Sequence, residues 1–294
     1  MADTSTNATV ALGPFAVHRI GFGAMQLPGP GVMGPPRDHE QAIAVLRRAV
    51  ELGVDHIDTA QYYGPDVANQ LIREALHPYP DGLALVSKVG AVRDSRGAWL
   101  PADRPAELRA GVEDNLRTLG VEQLAAVNLR VLDPIPDHAP AAFEDQLEEM
   151  VRMRDEGLIA GIGVSNVTLD QLETAVRLAG VVCVQNPYSL LDRHHEDVLQ
   201  RCVADGIAFV PFFPLGSAFP GLPKVTENPA VIEVAQRRGA TAAQVGLAWL
   251  LHHADNILLI PGTSSLAHLE ENLATGSVSL TEDELAELEG VPVG

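Results

Sequence analysis

The sequence predicts an α/β fold, a (β/α)8 TIM barrel entered through an N-terminal β-hairpin. Three observations lead there. Eight short apolar, β-branched runs recur along the 294 residues. Their starts lie about 34 residues apart, the length of one strand–loop–helix unit. The segments between them carry helical periodicity, and several of the runs are apolar throughout, as parallel strands covered on both faces require. No GxGxxG opens a helix behind any run, which argues against a doubly wound dinucleotide-binding sheet.

Taken in order, Val10, Ala11 and Leu12, then Phe15, Ala16 and Val17, flank a Gly13-Pro14 turn and predict a hairpin placed to plug the amino-terminal mouth of a barrel. Strands follow at residues 21–25, 56–59, 83–89, 126–131, 161–165, 181–185, 208–213 and 257–260. Behind the first, Ala42, Val45, Leu46, Ala49 and Val50 make one helical stripe, with Asp38 and Gln41 spaced as a capping box and Gly53 as a stop. Thr168 with Gln171, Thr241 with Gln244 and Thr281 with Glu284 repeat that box. Trp249, among Leu247, Leu250 and Leu251, reads as core. With no linker and no low-complexity tract, residues 1–294 read as a single domain.

Composition narrows the function. Apolar residues make up 46% and charged residues 20%, an ordinary globular balance. The net charge of −19 repels phosphate backbones and argues against nucleic acid. Cys183 and Cys202 sit in apolar stretches, unlike a disulfide framework. The first residues lack a basic and apolar leader pattern. No run nears the ~20 apolar residues of a membrane span. The expectation is a cytoplasmic protein without membrane or nucleic-acid partners, a monomer or weak homo-oligomer acting on a small molecule.

In such barrels chemistry sits at the carboxyl ends of the strands. The polar residues there are Asp58 and Tyr63 around the second run, Lys88 ending the third, Arg130 on the fourth, Ser165 and Asn166 ending the fifth, and Gln185 ending the sixth. Tyrosine is a weak acid with a reference pKa of ~10. A nearby Lys88 ammonium, kept charged by Asp58, would favour tyrosinate and tune Tyr63 as proton donor to a carbonyl oxygen. No side chain supplies hydride, so a cofactor must. Asp133 is close enough in sequence to pair with Arg130. The adjacent pairs His194-His195 and His252-His253 make no HxH or HExxH, so no metal site is expected.

At these residues the chain resembles the aldo-keto reductase superfamily, over nearly its whole length and in the family's order. Asp58-Thr59-Ala60-Gln61-Tyr62-Tyr63-Gly64 matches the signature around the catalytic Asp and Tyr, and Lys88 the catalytic Lys. The resemblance implies that Ser165, Asn166 and Gln185 hold the nicotinamide carboxamide and that Phe212 stacks on the ring. It implies that Leu215, Gly216 and Ser217 follow the pyrophosphate. Gly262 and Thr263, through His268, Glu271 and Asn272, would cradle the adenosine phosphate and adenine. Two positions depart from the pattern. Arg130 stands where the family usually has His, a planar fork of donors suited to polarising or orienting the substrate but a poor proton donor, which puts that role on Tyr63. His268 and Gly262 stand where the family often has Arg and Lys for the 2′-phosphate.

Within the superfamily the chain is similar to bacterial pyridoxal reductases, through residues 23–32, 34–37, 127–131, 182–186, 210–216 and 258–268. That implies reduction of pyridoxal to pyridoxine with NADPH, with NADH the lesser choice. The alternatives are a broad-specificity aldehyde or ketone reductase and a nicotinamide-sensing accessory subunit with little turnover. A Schiff-base aldolase using Lys88 is disfavoured, because Asp58 would keep that amine protonated. The Gly- and Pro-rich residues 28–36 and Trp99 are expected to wall the substrate pocket.

Overall fold

The computed structural model describes residues 8–136, 138–216 and 223–293. Two antiparallel strands, β1 (Thr9–Leu12) and β2 (Phe15–His18), make the predicted hairpin. Seven parallel strands follow as β3 (Phe22–Gly23), β4 (His56–Asp58), β5 (Ala84–Val89), β8 (Ala126–Arg130), β9 (Ile162–Ser165), β10 (Cys183–Gln185) and β11 (Ala208–Phe209), paired in chain order. Residues 257–260 close the ring. Ile257 bridges Phe209 on one side, and Leu259 bridges Ile20 on the other, with Gly21 N donating to Leu259 O at 2.8 Å. The buried Arg19 clamps this seam by donating to the carbonyls of Ala254, at 2.6 Å, and Ile257, at 3.2 Å.

Helices α1 (His39–Glu51), α2 (Val67–Leu76), α3 (Pro105–Leu119), α4 (Phe143–Asp155), α5 (Leu169–Ala179) and α6 (Glu196–Asp205) pack side by side around the sheet. The chain then runs through α7 (Pro229–Arg238) and α8 (Ala242–His253) to α9 (Leu266–Leu273), which returns to α1. A final helix, α10 (Glu282–Glu289), is held by Glu289, whose carboxylate accepts from Trp249 Nε1 at 3.0 Å and Arg193 at 2.5 Å. Trp249 is fully buried, as its spacing implies.

The period-two geometry of the strands divides the apolar residues into two cores. Ala84, Val86, Ala126, Cys183, Ala208 and Leu258 point into the barrel and pack with Leu12 and Val17 of the hairpin, which therefore plugs the lower mouth. The alternate residues Ile57, Leu85, Val127, Leu129, Val164 and Phe209 face the helices. Both faces being dry explains the unbroken apolar runs.

Several details differ from the sequence reading, among them that the expected strand 208–213 is regular only at Ala208–Phe209. Asp38 caps α1 by accepting from Gln41 N at 2.9 Å, but the Gln41 amide turns away to Ser264 O, so the box is half made; the other three boxes are complete. The first strand stops at Gly23, where a 3-10 turn (Ala24–Gln26) begins. Trp99 lies on a short hairpin, β6 (Ala91–Arg93) with β7 (Trp99–Pro101), rather than in an irregular loop.

Behind the strands that carry the site runs a buried polar network. Thr59 donates to Asn69 Oδ1 at 2.8 Å, Asn69 Nδ2 donates to Asn115 Oδ1 and Thr118 Oγ1, each at 2.9 Å, and Ser87 donates to Asn115 Oδ1 at 2.6 Å. It ties α2 and α3 to the residues next to Asp58 and Lys88. Asn69→Ala is expected to lower unfolding stability by about 2–4 kcal/mol, because three hydrogen bonds go and their buried partners lose water as an alternative. Urea unfolding of the variant against the parent measures it.

Candidate active site

Asp58 ends β4 and Lys88 is the penultimate residue of β5, and both point into the barrel. Register pairs Asp58 with Val86, so Lys88 stands two residues further along its strand and its stem spans the offset. The ammonium forms a buried ion pair with Asp58 Oδ1 and donates to Thr59 O at 3.1 Å. Gln185, from β10 on the far side of the barrel, donates to Asp58 Oδ2 at 2.6 Å. Below them Asn128 and Cys183 fill the interior. A β-carbon on Gly163 would come within 2.2 Å of Asn128 Oδ1 and 2.7 Å of Cys183 Sγ, so only glycine fits there. Burial pushes the Cys183 thiol up to about 12, which makes it an inert packing group.

Tyr63 sits in the loop after β4, buried, with the Lys88 ammonium over its ring 5.2 Å from the centroid. Burial raises the pKa of its hydroxyl above the ordinary phenol range, Asp58 raises it further, and Arg130 opposes them. This corrects the expectation that Lys88 pulls Tyr63 toward tyrosinate. With Asp58 beside it the lysine's field is largely cancelled, and the opposing cation is Arg130.

Arg130 ends β8, half-buried. It donates to Ser165 Oγ at 3.1 Å and lies over Phe212, with Cζ 4.8 Å from the ring centroid. It does not pair with Asp133, whose carboxylate accepts instead from Asn166 Nδ2 at 3.1 Å. Asn166 also donates to Val131 O at 2.9 Å and holds φ at 59°, a left-handed geometry that asparagine tolerates.

A nicotinamide carboxamide offers one acceptor and two donors, and the residues aligned for it are complementary. Ser165 Oγ already accepts from Arg130, leaving its O–H to donate. Among the described residues Gln185 Oε1 is buried and without a partner, an acceptor waiting for a donor. Asn166 has committed its amide N–H groups and offers its oxygen. Ser165, Asn166 and Gln185 thus fit the group.

Further along the same face, Leu215 packs with Val225 against Gly246 of α8. Gly216, at φ 90°, lies where a β-carbon would stand 2.3 Å from Pro223 O. Ser217 lies outside the described residues. Gly262 crosses close to Gly23 O, and Thr263 Oγ1 accepts from Ser265 N at 3.0 Å at the start of α9. His268 is exposed on that helix's first turn, Glu271 accepts from Thr241 Oγ1 at 2.6 Å, and Asn272 is buried. The nearby Arg48 is bound to Glu270 at 2.9 Å.

Sequence reasoning missed Arg93. Its guanidinium lies over Trp99, 4.3 Å from the ring centroid, and donates to Gly97 O at 3.0 Å, Val32 O at 3.3 Å and Gly31 O at 3.0 Å. It staples residues 29–34 to the β6–β7 hairpin. Trp99 meets Tyr62 edge-on at 5.3 Å, and Tyr62 meets Tyr63 at 5.4 Å, so the two expected walls and the tyrosine form one assembly. The Asp94 to Gly97 turn was the available signal for the hairpin, but only pairing across it brings Arg93 opposite Trp99.

The position of Tyr63 has a measurable consequence. Subtracting the ultraviolet titration of Tyr63→Phe from that of the parent isolates its ionisation, whose midpoint is expected above about 10. A midpoint near neutrality would contradict the arrangement described.

Known proteins resemble the chain over nearly its whole length. The Aldo/keto reductase family model matches residues 19–292. Pyridoxine 4-dehydrogenase of Escherichia coli K12 is 50% identical over 285 residues, 96% of this chain and 98% of its own length. An uncharacterized oxidoreductase of Schizosaccharomyces pombe is 39% identical over 287 residues, 98% of this chain and 90% of its own. A thermostable aldo-keto reductase crystallised with the inhibitor epalrestat superposes with a TM-score of 0.80 at 29% identity, covering 96% of this chain and 98% of that one. A Klebsiella pneumoniae aldo/keto reductase bound to NADP and acetate does so at 0.78 and 28%, covering 96% and 94%. With the match running from the seam residue Arg19 past the last helix, the chain belongs to the aldo/keto reductase family of oxidoreductases.

Proposed function

We propose that the protein reduces an aldehyde to a primary alcohol with NADPH, and that pyridoxal, giving pyridoxine, is its substrate. The observation that carries the reading is the buried Asp58–Lys88 pair set against the ring of a buried, protonated Tyr63. The 50% identity to pyridoxine 4-dehydrogenase supports the substrate. The Klebsiella pneumoniae relatives bound to NADP and to NADPH support the cofactor.

When bound, the cofactor supplies hydride to the carbonyl carbon. Tyr63 gives its proton to the carbonyl oxygen as negative charge builds there. Arg130 stabilises the tyrosinate left behind, and water restores its proton. Asp58 fixes the Lys88 ammonium in place. Ser165, Asn166 and Gln185 orient the carboxamide, and Phe212 supports the ring. The substrate gains two electrons and two hydrogens in all. Two free buried cysteines suit the reducing compartment that a cytoplasmic location implies.

NADPH oxidation against pyridoxal, pyridoxal 5′-phosphate, benzaldehyde and methylglyoxal, repeated with NADH, tests the reading. Pyridoxal with NADPH is expected to give the highest kcat/KM. Generic turnover without that preference would refute the substrate, and no turnover would refute the reductase. Tyr63→Phe is expected to lower kcat by about 10²- to 10⁴-fold while the NADPH Kd, read by fluorescence titration, holds.

A further inference from the structure

Arg130 is anomalous in its surroundings. In a chain of net charge −19, arginines such as Arg109, Arg193, Arg201 and Arg238 meet carboxylates. Arg130 is half-buried at the barrel mouth, and among the described residues no carboxylate lies in ion-pair contact with it. Asp58 is taken by Lys88 and Gln185, and Asp133 by Asn166. Desolvating a cation without a counter-charge is costly. The fold nonetheless holds it in place, with Phe212 against its plane and Ser165 fixing one N–H.

Of five guanidinium donors, one is engaged by Ser165. The remaining edge is a rigid fork that matches two oxygens side by side in one plane. The β5–β8 register sets Asn128 against Lys88, so Arg130 stands two residues beyond the lysine that lies 5.2 Å from the Tyr63 ring centroid, and its charge acts on the Tyr63 hydroxyl. A carbonyl oxygen there is placed for Tyr63, and a second, anionic oxygen on the neighbouring carbon would supply the counter-charge that the protein withholds.

We propose that Arg130 is the specificity-determining residue for planar aromatic aldehydes bearing an acidic hydroxyl ortho to the carbonyl, whose two adjacent oxygens its free edge reads. The proposal rests on the reductase reading above and defines its substrate class. Ordinary aldehydes leave Arg130 without a counter-charge and are discriminated against, as a buried unpaired donor always penalises the ligand that fails to meet it.

The test compares 2-hydroxybenzaldehyde, 3-hydroxybenzaldehyde and benzaldehyde as substrates with NADPH, for the parent, Arg130→Gln and Arg130→Lys. The parent is expected to favour the ortho compound in kcat/KM by about 10- to 100-fold. That preference should grow with pH as the hydroxyl ionises. It should shrink in Arg130→Lys, which keeps the charge but not the fork, and vanish in Arg130→Gln. Equal kcat/KM for the three aldehydes in the parent would overturn the proposal and leave the reductase reading standing. Turnover of none would overturn the reductase reading. Calorimetric titration of 2-hydroxybenzyl alcohol and benzyl alcohol into the parent with NADP+ then decides the proposal without turnover. Tighter binding of the ortho compound, lost in Arg130→Gln, supports it, and equal binding overturns it.

Discussion

The buried ion pair between Lys88 and Asp58 is the constraint around which the rest is arranged. Two charges removed from water cost more than their attraction returns unless geometry and further hydrogen bonds make up the difference. Here Thr59 O and Gln185 Nε2 complete the pair's partners, and they come from opposite sides of the barrel. Only a closed ring of strands brings β4, β5 and β10 to one cross-section. The dry plug of Leu12, Val17 and the inward alanines keeps water from entering below. The polar network through Asn69 and Asn115 grips Thr59 and Ser87, the residues adjoining the pair on the outer faces of the same strands. A shift of either helix would move a charge, and the network makes such a shift expensive.

The pair's neutrality has a consequence for Tyr63. A lysine held tightly by a carboxylate projects little field, so burial governs the phenol and keeps it protonated until substrate arrives. Among the described residues, the free positive charge of the site resides in Arg130, across the mouth. Separating a fixed, compensated cation from an uncompensated one divides the work. One anchors the machinery, and the other responds to the charge of what enters.

Around this centre the backbone is held in unusual conformations. Asn166 and Phe213 carry φ of 59° and 55°, and Phe213 adjoins the ring that backs Arg130. A phenylalanine in that region costs on the order of 1–3 kcal/mol and persists only where its surroundings over-determine it. Arg93 adds a second fixed point by joining three carbonyls of two separate loops beneath the Trp99 indole. The loop at residues 29–34 and the Trp99 hairpin are therefore a connected body rather than two independent flaps.

Local signals carried a large part of this architecture. Eight apolar runs at a regular spacing, three full capping boxes and a Gly-Pro turn each act within a few residues, so the order of strands and helices and the hairpin were legible. So were Asp58, Tyr63, Lys88 and Arg130, because strand ends are where a barrel presents side chains to one mouth. Relations between distant segments were not legible. Gln41 abandons its own helix for Ser264, Asp133 goes to Asn166 rather than Arg130, and Arg93 finds Trp99 across a hairpin. Each of these choices depends on which partners the closed barrel brings within hydrogen-bond reach, over separations of up to 223 residues. Sequence determined which groups are present at the mouth and on which strands. Tertiary structure decided which charges cancel and which one is left over, because that depends on distances that only folding sets.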